Sequence, residues 1–506
     1  MKKTLAVSGL ASAGLVLLAC GANHSQNLSS TGNDTVASSN CMLAPMSPRT
    51  VALQLFVQPP DPWDLNGTNN QPSQTQASTF MNCSGAAVNV DIGEQPIVDA
   101  VLSARKGVDL LIYQMGTDAV YQALVAQASC GGASGIGSGS GLKVRVIFDQ
   151  NTEKGFNTSA FNGLKSAGAS VEWANPGFAN THAKTMVIDP NAATQKMVVS
   201  TGNYPLRYIQ TERNYVALDT DPTDIYNVAQ IFDNDWKLAQ ESSSITPSST
   251  SENGAQYLGL SCGNSSTGFW TGTRMLVSPV DPKQDVLSVI GGATQSVHIE
   301  SLEFSDPDVI AAIASAKTQR NLDVKVLIAD PNWDGNCASY TCDTVTNAEQ
   351  LAAAGISIEY MPYDHAITDS DPGYYTQMLT HVKSIIVDQG TATPYAYMGS
   401  ENLTTQSLTK NREVGLVVLE PSNVAVMEAT FEGDFASPKA VPCSATFCGG
   451  ANVPATRSDG GTDGGNEPSA SGDDGGVGAN DGGGMPPGED GGVVLGDDGG
   501  EGEGGS

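Results

Sequence analysis

Twice along this chain an apolar segment opens on the same pattern: a histidine, one residue, a lysine, four residues and an aspartate. The first copy is Thr181-His182-Ala183-Lys184-Thr185-Met186-Val187-Ile188-Asp189, and the second is Thr380-His381-Val382-Lys383-Ser384-Ile385-Ile386-Val387-Asp388. The chain has only five histidines, and two of them fall in this one frame with matching flanks. His24, His298 and His365 lack that context; His24 reads as solvated and His298 as a hydrogen-bonded strand residue. An internal duplication constrains the fold more tightly than composition does, because like sequences fold into like units.

The surroundings repeat as well. Ahead of the first motif lie the apolar strand Val108 to Tyr113, a helical stretch from Asp118 to Ala128, and the strand Leu142 to Asp149. A helix ending at Ala167-Gly168 and the strand Ser170 to Trp173 follow. The second copy runs Val297 to Phe304, a helix from Pro307 to Lys317, Leu322 to Asp330, a helix ending at Ala354-Gly355, and Ile356 to Tyr360. Alternating strands and helices predict the α/β class. The duplication predicts two similar α/β halves, each a mixed β-sheet flanked by helices, packed pseudo-symmetrically with one active site between them. Residues 49–245 and 255–440 are the expected halves.

A strand places alternate side chains on one face, so His182 and Lys184 point the same way, as do His381 and Lys383. Asp189 and Asp388 stand at odd spacing from their histidines and are expected on the opposite face as structural supports, held by a salt bridge or backbone hydrogen bonds. Each motif is followed at equal distance by an asparagine, in Ser200-Thr201-Gly202-Asn203 and Gly399-Ser400-Glu401-Asn402. Thr201/Asn203 and Ser400/Asn402 read as same-face pairs that donate to a bound oxyanion. Merging the halves gathers two imidazoles, two ammonium groups and neutral donors into one anion site with a nucleophile and a proton donor.

This pattern resembles the phospholipase D superfamily, marked by a duplicated His-x-Lys-x4-Asp followed by Gly-Ser-x-Asn. The likeness covers roughly residues 50–440. The second copy fits well, with Asn411-Arg412-Glu413 downstream; the first departs at Ser200, where Gly is usual, and at Glu212-Arg213-Asn214. The resemblance implies His182, Lys184, Asp189, His381, Lys383 and Asp388 as the catalytic set. Thr201, Asn203, Ser400, Asn402, Glu212 and Glu413 are expected to bind or orient phosphate. In that family a downstream carboxylate orients a catalytic histidine: Glu413 fits the role, and Glu212 lies two positions early. The implied reaction is a two-step displacement, with His182 forming a phosphohistidine and His381 acting as acid and base. Lys184 and Lys383 would neutralise the phosphoryl oxygens, so no metal or other cofactor is expected.

The substrate does not follow from the motif. Of the formal charge of −30, the segment 451–506 carries −11, from twelve acidic residues against Arg457, so the body is itself acidic. An acidic body repels phosphate backbones, which disfavours nucleic acid as a partner. A phospholipid headgroup, hydrolysed or exchanged, is the expected substrate. An exported endonuclease and a non-catalytic surface lipid-binding protein are the alternatives. Because both motifs lie in one chain, a monomer is expected.

The N-terminus bears on location. Lys2 and Lys3 precede an apolar run, Leu5 to Ala19, shorter than the about 20 residues of a membrane span. It closes on Leu17-Leu18-Ala19-Cys20, which resembles the lipobox of bacterial lipoproteins. Residues 1–20 are expected to be a signal peptide with Cys20 as the lipidation site, and 21–48 a flexible tether. Gly21 after the cysteine fits sorting to the outer membrane or cell surface of a bacterium. The eight other cysteines predict disulfides in an oxidising compartment, with Cys337–Cys342 and Cys443–Cys448 close enough to bridge locally. The Gly/Asp-rich tail 451–506 has too little apolar surface to fold and is expected to be disordered.

Overall fold

The computed structural model describes residues 53–59, 76–131, 141–241, 274–279, 282–331, 343–362 and 378–445. The expected leader with Cys20, the tether, the tail 451–506, Cys337, Cys342 and Cys448 lie outside those residues.

The first half begins with β1 (Gln54–Gln58), the hairpin β2 (Gln76–Met81) and β3 (Ala87–Asp91), and α1 (Gln95–Leu102). It continues through β4 (Gly107–Ile112), α2 (Ala119–Cys130), β5 (Lys143–Phe148), α3 (Lys154–Ser166) and β6 (Ser170–Trp173). Then come β7 (Lys184–Ile188), β8 (Lys196–Ser200), the short α4 (Leu206–Thr211), β9 (Glu212–Asp219) and the long α5 (Pro222–Gln240). The second half repeats the plan with β10 (Met275–Ser278), α6 (Pro282–Gly291), β11 (Ser296–Ser301), α7 (Pro307–Thr318), β12 (Asp323–Ala329), α8 (Asp343–Ala353) and β13 (Ser357–Met361). It ends with β14 (Leu379–Thr380), β15 (Lys383–Val387), β16 (Tyr395–Gly399), α9 (Thr405–Thr409), β17 (Glu413–Val418), α10 (Pro421–Phe435) and β18 (Val441–Pro442).

Two large sheets result, ordered β1-β9-β8-β7-β4-β5-β6 and β10-β17-β16-β15-β11-β12-β13-β18. Each is mixed. β4, β5 and β6 run parallel and β7, β8 and β9 antiparallel, as do their counterparts in the second sheet. The expected α/β class with two similar halves is therefore what the chain adopts.

Side-chain alternation explains the layering. β4 is buried along its whole length, as a strand covered on both faces must be. Its Val108, Leu110 and Ile112 join the core under α1, α2 and α3, while Leu111 faces the opposite way. In β15, Ile385 and Val387 face one core and Ile386 the other. That other core is shared: Leu111, Val187 and Val199 of the first sheet meet Ile386, Met398 and Leu416 of the second. Phe232 of α5 and Met427 and Phe431 of α10 complete it. Each such side chain contributes roughly 1.5–3 kcal/mol by leaving water.

Local signals set the element ends. Asp221 and Asp306 cap α5 and α7 with their carboxylates, and each is followed by a proline at the first helical position. Gly168 and Gly355, which close the predicted helices, take φ of +96° and +82°, a left-handed turn that favours glycine. β6 occupies the predicted residues, whereas β11 ends at Ser301, short of the predicted Phe304. The hairpin β2–β3 has no strong sequence signal. Cys83 in its turn is bridged to Cys130 at the end of α2, a pairing that cysteine spacing did not assign. Cys443 is also disulfide-bonded.

Candidate active site

Each motif histidine stands just ahead of a strand, and the segment leading into it is stitched to the opposite half. β14 pairs with Glu212 and Arg213 at the start of β9. Thr181 forms the matching bridge with Arg412. The N–H groups of His182 and Ala183 both donate to the Arg412 carbonyl, at 2.9 and 3.0 Å. The two arginines then reach across in the same reciprocal way. Arg213 makes a two-pronged pair with Asp434 of α10, at 2.7 and 2.9 Å, and Arg412 pairs with Asp235 of α5, at 2.8 and 2.9 Å. The forked Arg213–Asp434 pair fixes orientation as well as distance, while Arg412 holds Asp235 by one hydrogen bond from Nη2 with Nε close by.

Both imidazoles are buried and held by the other half. His182 Nδ1 lies 2.8 Å from Glu413 Oε2 and 3.1 Å from the Ser400 carbonyl. Both oxygens accept only, so Nδ1 carries the proton and Nε2 the lone pair. Lys184 Nζ lies 2.5 Å from that Nε2. His381 Nδ1 lies 3.1 Å from Asn214 Oδ1 and 3.3 Å from Glu212 Oε2, and Lys383 Nζ is 3.0 Å from its Nε2. Lys383 also donates to the His381 carbonyl at 2.9 Å. Tyr113 packs edge-on against His182, ring centroids 4.6 Å apart, with Lys184 Nζ 5.0 Å from its ring centre. Each half thus presents one Nε2 beside a buried ammonium. Such a pair can attack an electrophile or exchange a proton next to positive charge.

Asp189 and Asp388 stand apart from the imidazoles. The Asp189 carboxylate accepts from the backbone N–H groups of Arg105, Lys106 and Gly107 and from the Thr194 hydroxyl. Asp388 does the same with Thr294, Gln295 and Ser296. Both residues take left-handed backbone angles, φ +51° and +54°. They close the turn after the strand and tie it to the entrance of β4 or β11.

The predicted oxyanion donors divide. Thr201 donates to Asn214 Oδ1 at 2.9 Å and accepts from the Tyr215 N–H, and the Ser400 hydroxyl accepts from the Val414 N–H at 3.0 Å. Both hydroxyls are thus committed to the neighbouring strand. Period-two alternation does not carry past the strand end, and β8 and β16 stop at Ser200 and Gly399. Asn402 differs: both polar atoms of its buried amide lack a hydrogen-bond partner among the described residues. Asn203 Nδ2 donates to Gln114 at 3.2 Å.

Three acidic groups carry no motif signal. Asp149, at the end of β5, accepts from the N–H groups of Thr152, Glu153 and Thr181 and so holds the loop before His182; burial raises its pKa. Burial also raises that of Glu153. Glu401 is completely buried, and burial together with the Glu413 charge pushes its carboxyl up to about 8. Only the equal placement of Asp149 and Asp330 after matching strands hinted at any of them.

Residues 97–236 and 286–435 match the family described as "Cardiolipin synthase, PLD-like domain". No curated protein sequence matches. Among solved structures, the chain is similar to a polyphosphate kinase from Porphyromonas gingivalis (14% identity, TM-score 0.49), over 78% of this chain and 49% of that one. It thus spans about half the length of that kinase. It is also similar to a phosphatidylserine synthase from Haemophilus influenzae (12% identity, TM-score 0.46; 69% and 85% of the two chains). A third match is the phospholipase D family member Nuc from Salmonella typhimurium (22% identity, TM-score 0.27; 34% and 97%).

Proposed function

The chain belongs to the PLD-like domain family, whose members act on phosphodiesters, and from that premise we propose a phospholipase D-type enzyme that hydrolyses or exchanges phospholipid headgroups. The observation that carries the reading is the reciprocal holding of two buried imidazoles, each with Nδ1 against oxygen atoms of the other half and Nε2 beside a lysine Nζ.

In the first step His182 Nε2 forms a bond to phosphorus while the bond to the leaving oxygen breaks. That oxygen takes the Nε2 proton of an initially protonated His381. In the second step His381, now neutral, removes a proton from water or an alcohol as it attacks phosphorus, and the N–P bond breaks to restore His182. Lys184, Lys383 and the Asn402 amide face the phosphoryl oxygens. Glu413 stabilises the positive charge that His182 carries as a phosphohistidine. The acidic body supports a lipid over a nucleic-acid substrate. The lipobox-like Cys20 supports a place at a bacterial membrane surface.

The test is a panel of phosphatidylcholine, phosphatidylethanolamine and plasmid DNA, assayed with EDTA and with a primary alcohol added. Headgroup release that persists in EDTA, with capture of the alcohol as a new phosphatidyl ester, is expected. His182→Asn and His381→Asn should each abolish it. An active preparation that never transfers to alcohol would exclude the covalent route. Cleavage of DNA with lipids untouched would overturn the substrate.

A further inference from the structure

The pseudo-symmetry of the halves brings out a difference outside the motif residues. β4 lies beside β5 with Asp109 opposite Arg145, and β11 lies beside β12 with His298 opposite Lys325. In the first half the Arg145 guanidinium donates to both Asp109 oxygens at 2.7 Å and reaches Asp233 of α5 at 2.8 Å. It also lies over the rings of Phe232 and Trp236. Lys143, two residues before Arg145, adds a second positive charge that acts on Asp109. Two carboxylates there meet two cations.

The second half changes every member of that group. Asp323, His298 and Lys325 stand where the first half has Lys143, Asp109 and Arg145, and α10 brings Glu428 and Glu432 over them. His298 is only 5% exposed. Its Nδ1 lies 2.8 Å from Glu428 Oε1 and 3.8 Å from Glu432 Oε1, and its Nε2 lies 3.6 Å from Asp323 Oδ2. Phe431 stacks on the imidazole, ring centroids 5.2 Å apart, and fixes its plane. Three carboxylates here meet one ammonium, that of Lys325, 2.5 Å from Glu432 Oε1. With the imidazole neutral, the cluster carries two negative charges in excess. Two buried atoms, His298 Nε2 and Glu428 Oε2, have no hydrogen-bond partner among the described residues.

We propose that His298, Glu428 and Glu432 bind a divalent transition-metal ion of the zinc class, with Asp323 supporting the imidazole and Lys325 acting as the competing cation. An imidazole nitrogen with two carboxylate oxygens suits Zn²⁺, whereas Mg²⁺ and Ca²⁺ prefer oxygen throughout. Glu428 and Glu432, four positions apart, share one helix face. The three donor atoms lie within 4.8 Å of one another. A tetrahedral ion with bonds of about 2.1 Å sets its donors about 3.4 Å apart, and the 2.8 and 3.8 Å separations from Nδ1 bracket that spacing. Ligation through Nδ1 leaves the proton on Nε2, on the side of Asp323; a carboxylate there fixes the tautomer of a ligating histidine. Lys325 is one quarter exposed on a flexible stem, so it can yield Glu432 to the ion and turn to water. The ion pins α10 to β11, and α10 carries the Asp434 that holds Arg213. Its role is structural and does not rest on the phosphodiesterase reading.

The test titrates Zn²⁺, and Mg²⁺ in parallel, into the full-length protein stripped with EDTA and dialysed. Calorimetry should show a saturable Zn²⁺ site, and Zn²⁺ but not equimolar Mg²⁺ should raise Tm. His298→Gln and Glu428→Gln should each weaken Zn²⁺ binding about 100-fold or more, and Asp323→Asn about 10-fold. Lys325→Gln removes the competing ammonium and should tighten binding several-fold. A cluster that serves only as an ion-pair network gives no such opposite effects. Absence of saturable binding, equal affinity in His298→Gln and Glu428→Gln, or weaker binding in Lys325→Gln would overturn the proposal. If the ligand variants do not fold, the opposite effects of Asp323→Asn and Lys325→Gln decide. No substrate enters the measurement, so its failure leaves the functional reading standing, and headgroup release below Tm should persist in EDTA.

Discussion

Glu401 offers a direct measure of how far the second-half core departs from water. Its Oε2 accepts from Tyr397 Oη at 2.7 Å, and Oε1 has no hydrogen-bond partner among the described residues. Room for the carboxyl exists because positions 399 and 415 are glycine; a Cβ at either would strike Oε2. Burial first, and then the Glu413 charge, raise the group from its ordinary value of 4.5 to about 8. The folded state therefore binds one more proton than the unfolded chain through that window. The sign follows: stability is full below about pH 4.5, falls as pH rises, and levels off above about pH 8. At about 1.36 kcal/mol per pH interval of one, the loss between about pH 5 and about pH 8.5 is about 4 kcal/mol. Glu401→Gln keeps the shape and an acceptor for Tyr397 but cannot ionise. Urea denaturation of wild type and variant at the two pH values cancels every other titrating group. The stability of Glu401→Gln relative to wild type should rise by about 4 kcal/mol from the lower pH to the higher. A rise below about 1 kcal/mol would refute the buried, protonated carboxyl, because a carboxyl ionised near its ordinary pH contributes almost no difference between the two conditions.

Three further outcomes are expected. Lys184→Met and Lys383→Met should each lower kcat about 10²- to 10³-fold, some 3–4 kcal/mol of transition-state stabilisation, read by steady-state kinetics. Replacing Cys83 and Cys130 by serine opens a bridge across 47 positions and should cost about 4 kcal/mol of unfolding free energy, measured by denaturant titration of the oxidised proteins. Cys20→Ala should move the protein from the membrane to the soluble exported fraction or leave its leader uncleaved, and intact-mass analysis showing an unmodified mature N-terminus elsewhere would exclude the lipid anchor.

Much of the architecture was legible because it rests on short-range patterns. Ser170 to Trp173 reads as a strand from its own composition, Gly168 and Gly355 mark helix ends by their freedom at positive φ, and the two His-x-Lys frames declare the duplication. The strand period also put His182 beside Lys184, since only Ala183 separates them. It misled at Thr201 and Ser400, where alternation was carried past the ends of β8 and β16 and the hydroxyls turn back into the sheet. No local pattern shows that Glu413, 231 positions away, holds His182, or that Asn214 and Glu212 stand against His381. Those pairings arise from the reciprocal packing of the halves, in which Arg213 and Arg412 each reach the far side. Glu401 reads in sequence as one more polar residue after Ser400. Its protonation is decided by water excluded from the assembled core and by a neighbouring charge, which the order of residues along the chain does not encode.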